Sequence, residues 1–133
     1  MAYEISNYAV KVTLVAAADL SSNQYTFVKL DSAGKAAAVT ATTDRPIGIL
    51  QNAPTSGQEA EVLVSGGSKL VAGGAITEGQ VVGTSAAGKG SALTIGGTSG
   101  TAFYILGTSV TEVAAVNELT TVVVNCASAA RGF

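Results

Sequence analysis

The residue types that most often perform catalysis or bind metals are scarce in this sequence of 133 residues. It contains no histidine, which removes the commonest general base, the commonest metal ligand and every Ser-His or Cys-His nucleophilic pair. Cys126 is the single cysteine, so an intrachain disulfide and a thiolate metal cage are excluded, and we expect a small buried apolar residue. Together with the candidates below, these counts predict a protein that is not an enzyme and that binds no cofactor or metal.

Residues 83–90, Gly-Thr-Ser-Ala-Ala-Gly-Lys-Gly, nearly match a phosphate-binding loop. That motif needs Ser or Thr directly after the lysine to hold magnesium, a strand before the loop and a helix after it. Gly90 stands at the magnesium position, and the next residues have the pattern of a strand and a turn. The segment is therefore predicted to be a hairpin turn, in which glycine supplies a positive φ, and not a nucleotide site.

Two further pairs could do chemistry in principle. Glu59 and Glu61 share one face of a predicted strand, where they could bind calcium or act as an acid–base pair. Because the sequence has no Asp-rich calcium loop, we interpret them as the polar face of an amphipathic strand. Ser68 and Lys69 could form a nucleophile–base pair, but adjacent strand residues point to opposite faces, which disfavours it.

Charge is scarce as well. Only 12% of the residues are charged, against about 25% in an ordinary globular domain, and the formal net charge is -2. Seven basic residues against nine acidic ones give no electrostatic footprint for nucleic acid, and no apolar stretch approaches the ~20 residues that span a bilayer. The sequence therefore indicates no nucleic acid or membrane partner. It predicts a surface that is rich in small polar residues, partly buried in an assembly, or both.

The elements that position these residues are predicted to be strands, because apolar and polar residues alternate with a period of two in runs rich in Val and Thr. Turn signals such as Gly66-Gly67 separate the runs. Short strands with Gly-rich turns predict an all-β fold, a compact β sandwich or small barrel. Residues 1–19 are expected to form an N-terminal strand or arm, and residues 20–133 a single β domain. A signal peptide is disfavoured, because Glu4 stands where its basic region belongs.

An internal duplication organises the β domain, with pseudo-repeats at about residues 24–66 and 80–126. The copies open with Gln24 and Gln80, and both contain Ala-Gly-Lys followed three residues later by Ala-Val-Thr or Ala-Leu-Thr. Each copy has the pattern of a strand, an Ala-Gly-Lys turn and three further strands. The sequence therefore predicts one four-strand unit, formed twice.

The duplication also decides residues 109–119, the best helix candidate. Ser109 and Glu112 fit a helix capping box. The matching stretch of the first copy contains Pro54 and Gly57, which are incompatible with a regular helix. We therefore predict a loop at residues 109–119.

The two ends of the chain carry the candidate interface residues. Phe133 is the last residue, where an apolar aromatic is not expected to belong to a core, so Arg131 and Phe133 are predicted to make a docking contact. Tyr3, Ile5 and Tyr8 in the N-terminal arm favour the same interpretation.

Segments spread over most of the chain resemble small capsid-decoration, or cement, proteins of tailed bacteriophages. They are residues 8–13, 45–50, 61–67 and 76–83, together with the Ala-Gly-Lys turn. The resemblance implies a compact β domain, a homotrimer, and a place on the capsid exterior of a virion made in the host cytoplasm. It also implies that the major capsid protein is the partner, that contacts to it clamp neighbouring capsomers together, and that no catalytic residues exist. The candidate interface residues would then contact the capsid or a neighbouring subunit.

Two alternatives remain open from the sequence. A tail, fibre or other virion β module has the same composition as a decoration protein. A carbohydrate-binding or adhesin β sandwich is the other, although such sites usually cluster exposed aromatics and this sequence has no tryptophan.

Overall fold

The fold consists of strands in the part of the chain that the structure describes, residues 9–94 and 103–132 of a computed structural model. The eleven strands in those ranges are β1 (Val10–Val15), β2 (Phe27–Leu30), β3 (Ala36–Ala38), β4 (Gly48–Leu50), β5 (Glu59–Val71), β6 (Val81–Thr84), β7 (Gly90–Ala92), β8 (Phe103–Ile105), β9 (Gly107–Ser109), β10 (Leu119–Asn125) and β11 (Ala130–Gly132). The all-β prediction is confirmed, and β1 is the expected N-terminal strand.

Nine of these strands form one antiparallel sheet that curls into a half-barrel, while β8 and β11 pair as a small second sheet. The order across the large sheet is β3-β2-β4-β5-β10-β9-β6-β7, with β1 paired to β5 beside this path. Both halves use the same scheme. The β2-β3 hairpin is joined through β4 to β5, and the β6-β7 hairpin is joined through β9 to β10.

Strand β5 belongs to both halves, because its 13 residues make two successive sets of pairs. Its first part, up to Ser65, pairs with β1, and the part from Ser65 onward pairs with β10. The turn suggested by Gly66-Gly67 is therefore wrong, since the chain continues there as a strand with Gly66 at a φ of 129°. Below, residues 10–65 are the first unit and residues 66–125 the second unit.

Hydrogen bonds outside the strand ladders repeat between the units and define which residues correspond. The matching backbone pairs, with the N–H donor first, are Ala16–Gln58 with Ala72–Glu118, both at 2.8 Å, and Tyr25–Leu50 with Gly79–Ser109, both at 2.7 Å. In this register Gln80 corresponds to Thr26, two residues beyond Gln24. The first unit is longer than the second just before its first hairpin, and this extra length explains why Gln24 and Gln80 do not correspond.

Residues 110–118 connect β9 and β10 without a helix, as the duplication predicted. Asn117 in this loop has a positive φ of 69°, and Gly57 in the matching loop of the first unit has a φ of 81°. Each donates its backbone N–H to an alanine carbonyl, at 2.7 Å and 3.0 Å respectively. The same backbone hydrogen bond therefore stabilises the loop in both units, and the helix suggested by the capping box does not form.

Two clusters of buried side chains fill the fold, and they show how the units pack. The first cluster lies on one face of the first unit, its inner face, and comprises Ala16, Leu20, Val28, Ala36, Leu50, Ala60 and Val62. The second cluster contains the corresponding inner residues of the second unit, among them Val82 and Val122. It also contains Phe27, Ile49 and Leu63, which are cross-strand neighbours on the opposite, outer face of the first unit. The inner face of the second unit therefore packs on the outer face of the first.

Candidate functional site

The segment that nearly matches a phosphate-binding loop is the turn of the β6-β7 hairpin. Gly88 has a φ of 77°, and the Ser85 hydroxyl oxygen accepts hydrogen bonds from the N–H groups of Ala87 and Lys89 at 3.3 Å and 3.1 Å. The Lys89 ammonium donates to the Asn117 side-chain oxygen at 2.5 Å. A strand follows the glycine-rich turn where a phosphate site needs a helix N-terminus, so the predicted hairpin turn is present.

Glu59 and Glu61 lie on the outer face of β5, with Glu59 exposed and Glu61 half-buried. The Glu61 carboxylate is 3.3 Å from the Lys11 ammonium of β1, and both side chains are 47% exposed. Such a surface pair contributes little to stability. Within the described ranges, no group of three or more His, Cys, Asp or Glu side chains comes close enough to hold a metal ion.

Ser68 and Lys69 point to opposite faces of β5. The buried Ser68 hydroxyl accepts a hydrogen bond from the Gln51 side-chain amide at 2.9 Å and donates to the Lys69 carbonyl at 2.8 Å. The exposed Lys69 ammonium lies 5.7 Å from the centre of the Tyr25 ring. The geometry is that of a structural hydrogen bond and a cation–π contact, since the ammonium is not directed at the hydroxyl.

Cys126 is buried at the end of β10, and burial raises the pKa of its thiol to about 12. It lines a cleft of about 330 Å³ together with Leu30, Arg45, Pro46, Ile47 and Ala127. At neutral pH the thiol stays protonated, so it is a poor nucleophile. This cleft lies where the chain entering β4 meets the residues that follow β10.

Asp44 holds the loop between β3 and β4. Its carboxylate accepts from the Lys29 ammonium at 2.8 Å and from the backbone N–H groups of Thr40 and Ala41 at 3.0 Å and 3.1 Å. The hydrogen bond from Lys29, followed by the backbone bonds, lowers the pKa of Asp44 to about 2. These contacts stabilise the conformation of the loop between β3 and β4.

The predicted interface residues fall largely outside the described ranges. Tyr3, Ile5, Tyr8 and Phe133 all lie there. Arg131 is described: it lies in β11, opposite Tyr104 of β8, and its side chain is exposed. The contact predicted for these five residues therefore stays a prediction, for Arg131 as for the other four.

An exposed apolar surface that sequence reasoning missed lies on β10. Leu119 and Val123 point outward from this strand and are 51% and 54% exposed. Thr121 and Asn125 complete the outward side of the strand, so none of its four outward residues is charged. Alternation marked the strand but could not tell which of its two apolar faces is covered.

None of the described residues forms a helix long and apolar enough to cross a membrane.

Comparisons with known proteins give a fold likeness. No family model and no curated protein matches the chain. Among solved structures, the chain is similar to the head fiber gp8.5 N base of bacteriophage phi29, with a TM-score of 0.58 and 19% sequence identity. The likeness covers 89% of this chain and 95% of that one. At this identity it establishes a shared all-β fold over nearly the whole chain.

Proposed function

We propose that the chain is a structural protein of a tailed-phage virion that binds the outer surface of the head. The observation that carries this proposal is the fold likeness to a phage head fiber base over 89% of the chain. The resemblance of the sequence to capsid-decoration proteins, carried by residues 8–13, 45–50, 61–67 and 76–83, supports the same location. The uncharged outward side of β10 supports it as well, because a surface of small apolar and hydroxyl side chains costs little to desolvate on binding.

Two roles on the head surface fit this proposal. In the first, the chain acts as a cement protein that clamps neighbouring subunits of the major capsid protein, so that many modest contacts reinforce the shell. In the second, it is the base of a head fibre, which the phi29 likeness favours. Both roles place the protein on the capsid exterior after synthesis in the host cytoplasm, with the major capsid protein as partner.

Binding to isolated heads tests the proposal. Purified protein is added to heads of the phage that encodes the chain, prepared without it, and binding is measured by sedimentation and gel densitometry. We expect saturable binding at micromolar concentration. A complete lack of binding under these conditions would overturn both roles.

The thermal disruption of the same particles separates the two roles. A cement protein raises the temperature at which the heads break open, because its contacts must be lost before the shell opens. A fibre base binds saturably and leaves that temperature unchanged. Particle reconstruction then shows whether the bound copies sit between capsomers or at the root of a fibre.

A further inference from the structure

The packing between the two units shows what covers the outer face of a unit. In the first unit, the outer residues Phe27, Ile49 and Leu63 are at most 2% exposed, because the second unit packs on them. The contact is reinforced by the Phe27 N–H, which donates to the Gly88 carbonyl at 2.7 Å, and by the Val71 N–H, which donates to the Tyr25 carbonyl at 2.8 Å.

The corresponding outer face of the second unit is exposed at its centre, on β9 and β10, whereas β8 covers it at Gly83 of β6. Its residues are Val81, Thr108 and Val123, which are cross-strand neighbours in the same way. Val123 is 54% exposed where its counterpart Leu63 is 2% exposed, and Thr108 is exposed where Ile49 is fully buried. We call the surface formed by Val81, Thr108 and Val123 the tail surface.

The charges on the two outer faces differ in the direction expected of an interface. Positions 59 and 61 of the first unit, which remain in contact with water, are glutamates. Their counterparts in the second unit are Leu119 and Thr121. The second unit therefore has uncharged residues beside the tail surface where the first unit has charged ones, so fewer charges lie next to a partner that binds there.

The inner face of the first unit offers a surface that could pack on the tail surface of another copy. In the second unit the inner residues Ser68, Leu70 and Leu106 are at most 5% exposed, because the first unit closes this side. Their counterparts in the first unit are Val12, Leu14 and Ile47, and all three are only half-buried. We call the surface formed by Val12, Leu14, Ala38 and Ile47 the head surface.

We propose that a second copy of this chain packs its head surface on the tail surface of the first, in the same way as the two units pack within one chain. Such a contact joins two different surfaces, so it propagates and closes into a ring when the rotation between copies allows it. The internal packing provides the template, and this inference does not depend on the proposed virion function.

The mass of the protein in solution tests this contact. Sedimentation equilibrium of the full chain at about 10–100 μM is expected to give a multiple of the 13.1 kDa chain mass. Val123→Lys places a charge in the tail surface at an exposed position, so it should fold normally and sediment as the 13.1 kDa monomer. Val15→Lys is the matched control: Val15 is 44% exposed on the outer side of β1, and the variant should keep the wild-type mass.

A mixing experiment distinguishes a head-to-tail contact from a symmetric one. Ala38→Lys disables the head surface, whereas Val123→Lys disables the tail surface, so each variant alone should be monomeric. Mixed in equal amounts, they retain one intact head and one intact tail between them and should form a 1:1 dimer. Far-UV circular dichroism checks that both variants are folded.

Three results would overturn the proposal. They are a wild-type protein that is monomeric at 100 μM, a folded Val123→Lys variant that keeps the wild-type mass, and a mixture of the two folded variants that forms no dimer. If Ala38→Lys fails to fold, the mass of Val123→Lys against that of Val15→Lys decides the question by itself.

Discussion

Replacing Thr120 with valine tests a polar cluster at the centre of the second unit. The Thr120 side chain is 1% exposed, and its hydroxyl donates to the Thr111 carbonyl at 2.9 Å. It also lies 3.0 Å from the Ser109 hydroxyl and 3.1 Å from that of Thr111. At the same place the first unit has Leu50 and Ala60, which are fully buried and apolar. The fold therefore accepts either chemistry at this position, and the variant measures what the polar version contributes.

The expected loss can be worked out from the partners that remain. After Thr120→Val, the Ser109 hydroxyl still donates to the Thr111 carbonyl at 2.7 Å, and the Thr111 hydroxyl still accepts from the Thr121 N–H at 2.9 Å. No buried group loses all of its partners, so the cost is the net value of the lost bonds and not a full desolvation penalty. At about 1 kcal/mol for a typical buried hydrogen bond, we expect the free energy of unfolding to fall by about 1–2 kcal/mol.

Urea unfolding, followed by circular dichroism at one fixed protein concentration, measures this change. Thr13→Val is the matched control, because Thr13 is exposed on β1 and the same substitution there should change the free energy by less than about 0.5 kcal/mol. Ser109→Ala and the double variant complete a cycle whose coupling energy should be at least about 0.5 kcal/mol. A Thr120→Val protein as stable as the wild type would refute the reasoning, since the hydroxyl cluster would then contribute nothing over a methyl group.

Three further predictions concern single sites. The hydrogen bond from Lys29 lowers the pKa of Asp44 to about 2. The contribution of Asp44 to the free energy of unfolding is therefore complete above its ordinary pKa of 3.8 and is lost as the pH falls through 2. Asp44→Asn should flatten the curve of unfolding free energy against pH over that interval, as measured by urea titrations at each pH. Gly107→Ala should lower the free energy of unfolding by about 3 kcal/mol or more, because the new Cβ would collide with a backbone carbonyl oxygen of β10. Gly34→Ala meets open space but keeps a φ of 75°, so it should cost about 1–2 kcal/mol in the same urea titration. The buried Cys126 thiol, whose pKa burial raises to about 12, should react with a thiol reagent at pH 7 only after denaturant is added, and rapid reaction in the native protein would contradict its position.

Most of the local structure follows from the sequence, and the reasons can be seen in particular residues. Alternation alone predicted strands, and comparison of the copies replaced the capping-box helix at residues 109–119 with a loop, because Pro54 excludes a helix at the matching place. Gly66-Gly67 was misinterpreted, because glycine signals a turn and also permits a long strand to pass from one unit to the next. The sequence pattern at Gly66 is the same for a turn and for a continuous strand. Only the pairs that β5 makes with β1 and β10 show that the strand continues.

The candidate surface was beyond sequence reasoning for a different reason. Leu63 and Val123 occupy matching places in matching strands and are both apolar, so a pattern assigns them the same burial. One is buried and the other is 54% exposed, because burial of an outer face depends on whether another unit follows it in the stack. The second unit covers the outer face of the first, but no third unit covers Thr108 and Val123 of the second. Exposed apolar side chains on a strand side without charged residues are typical of an interaction surface, and the outward side of β10, with Leu119 and Val123 exposed, has this character.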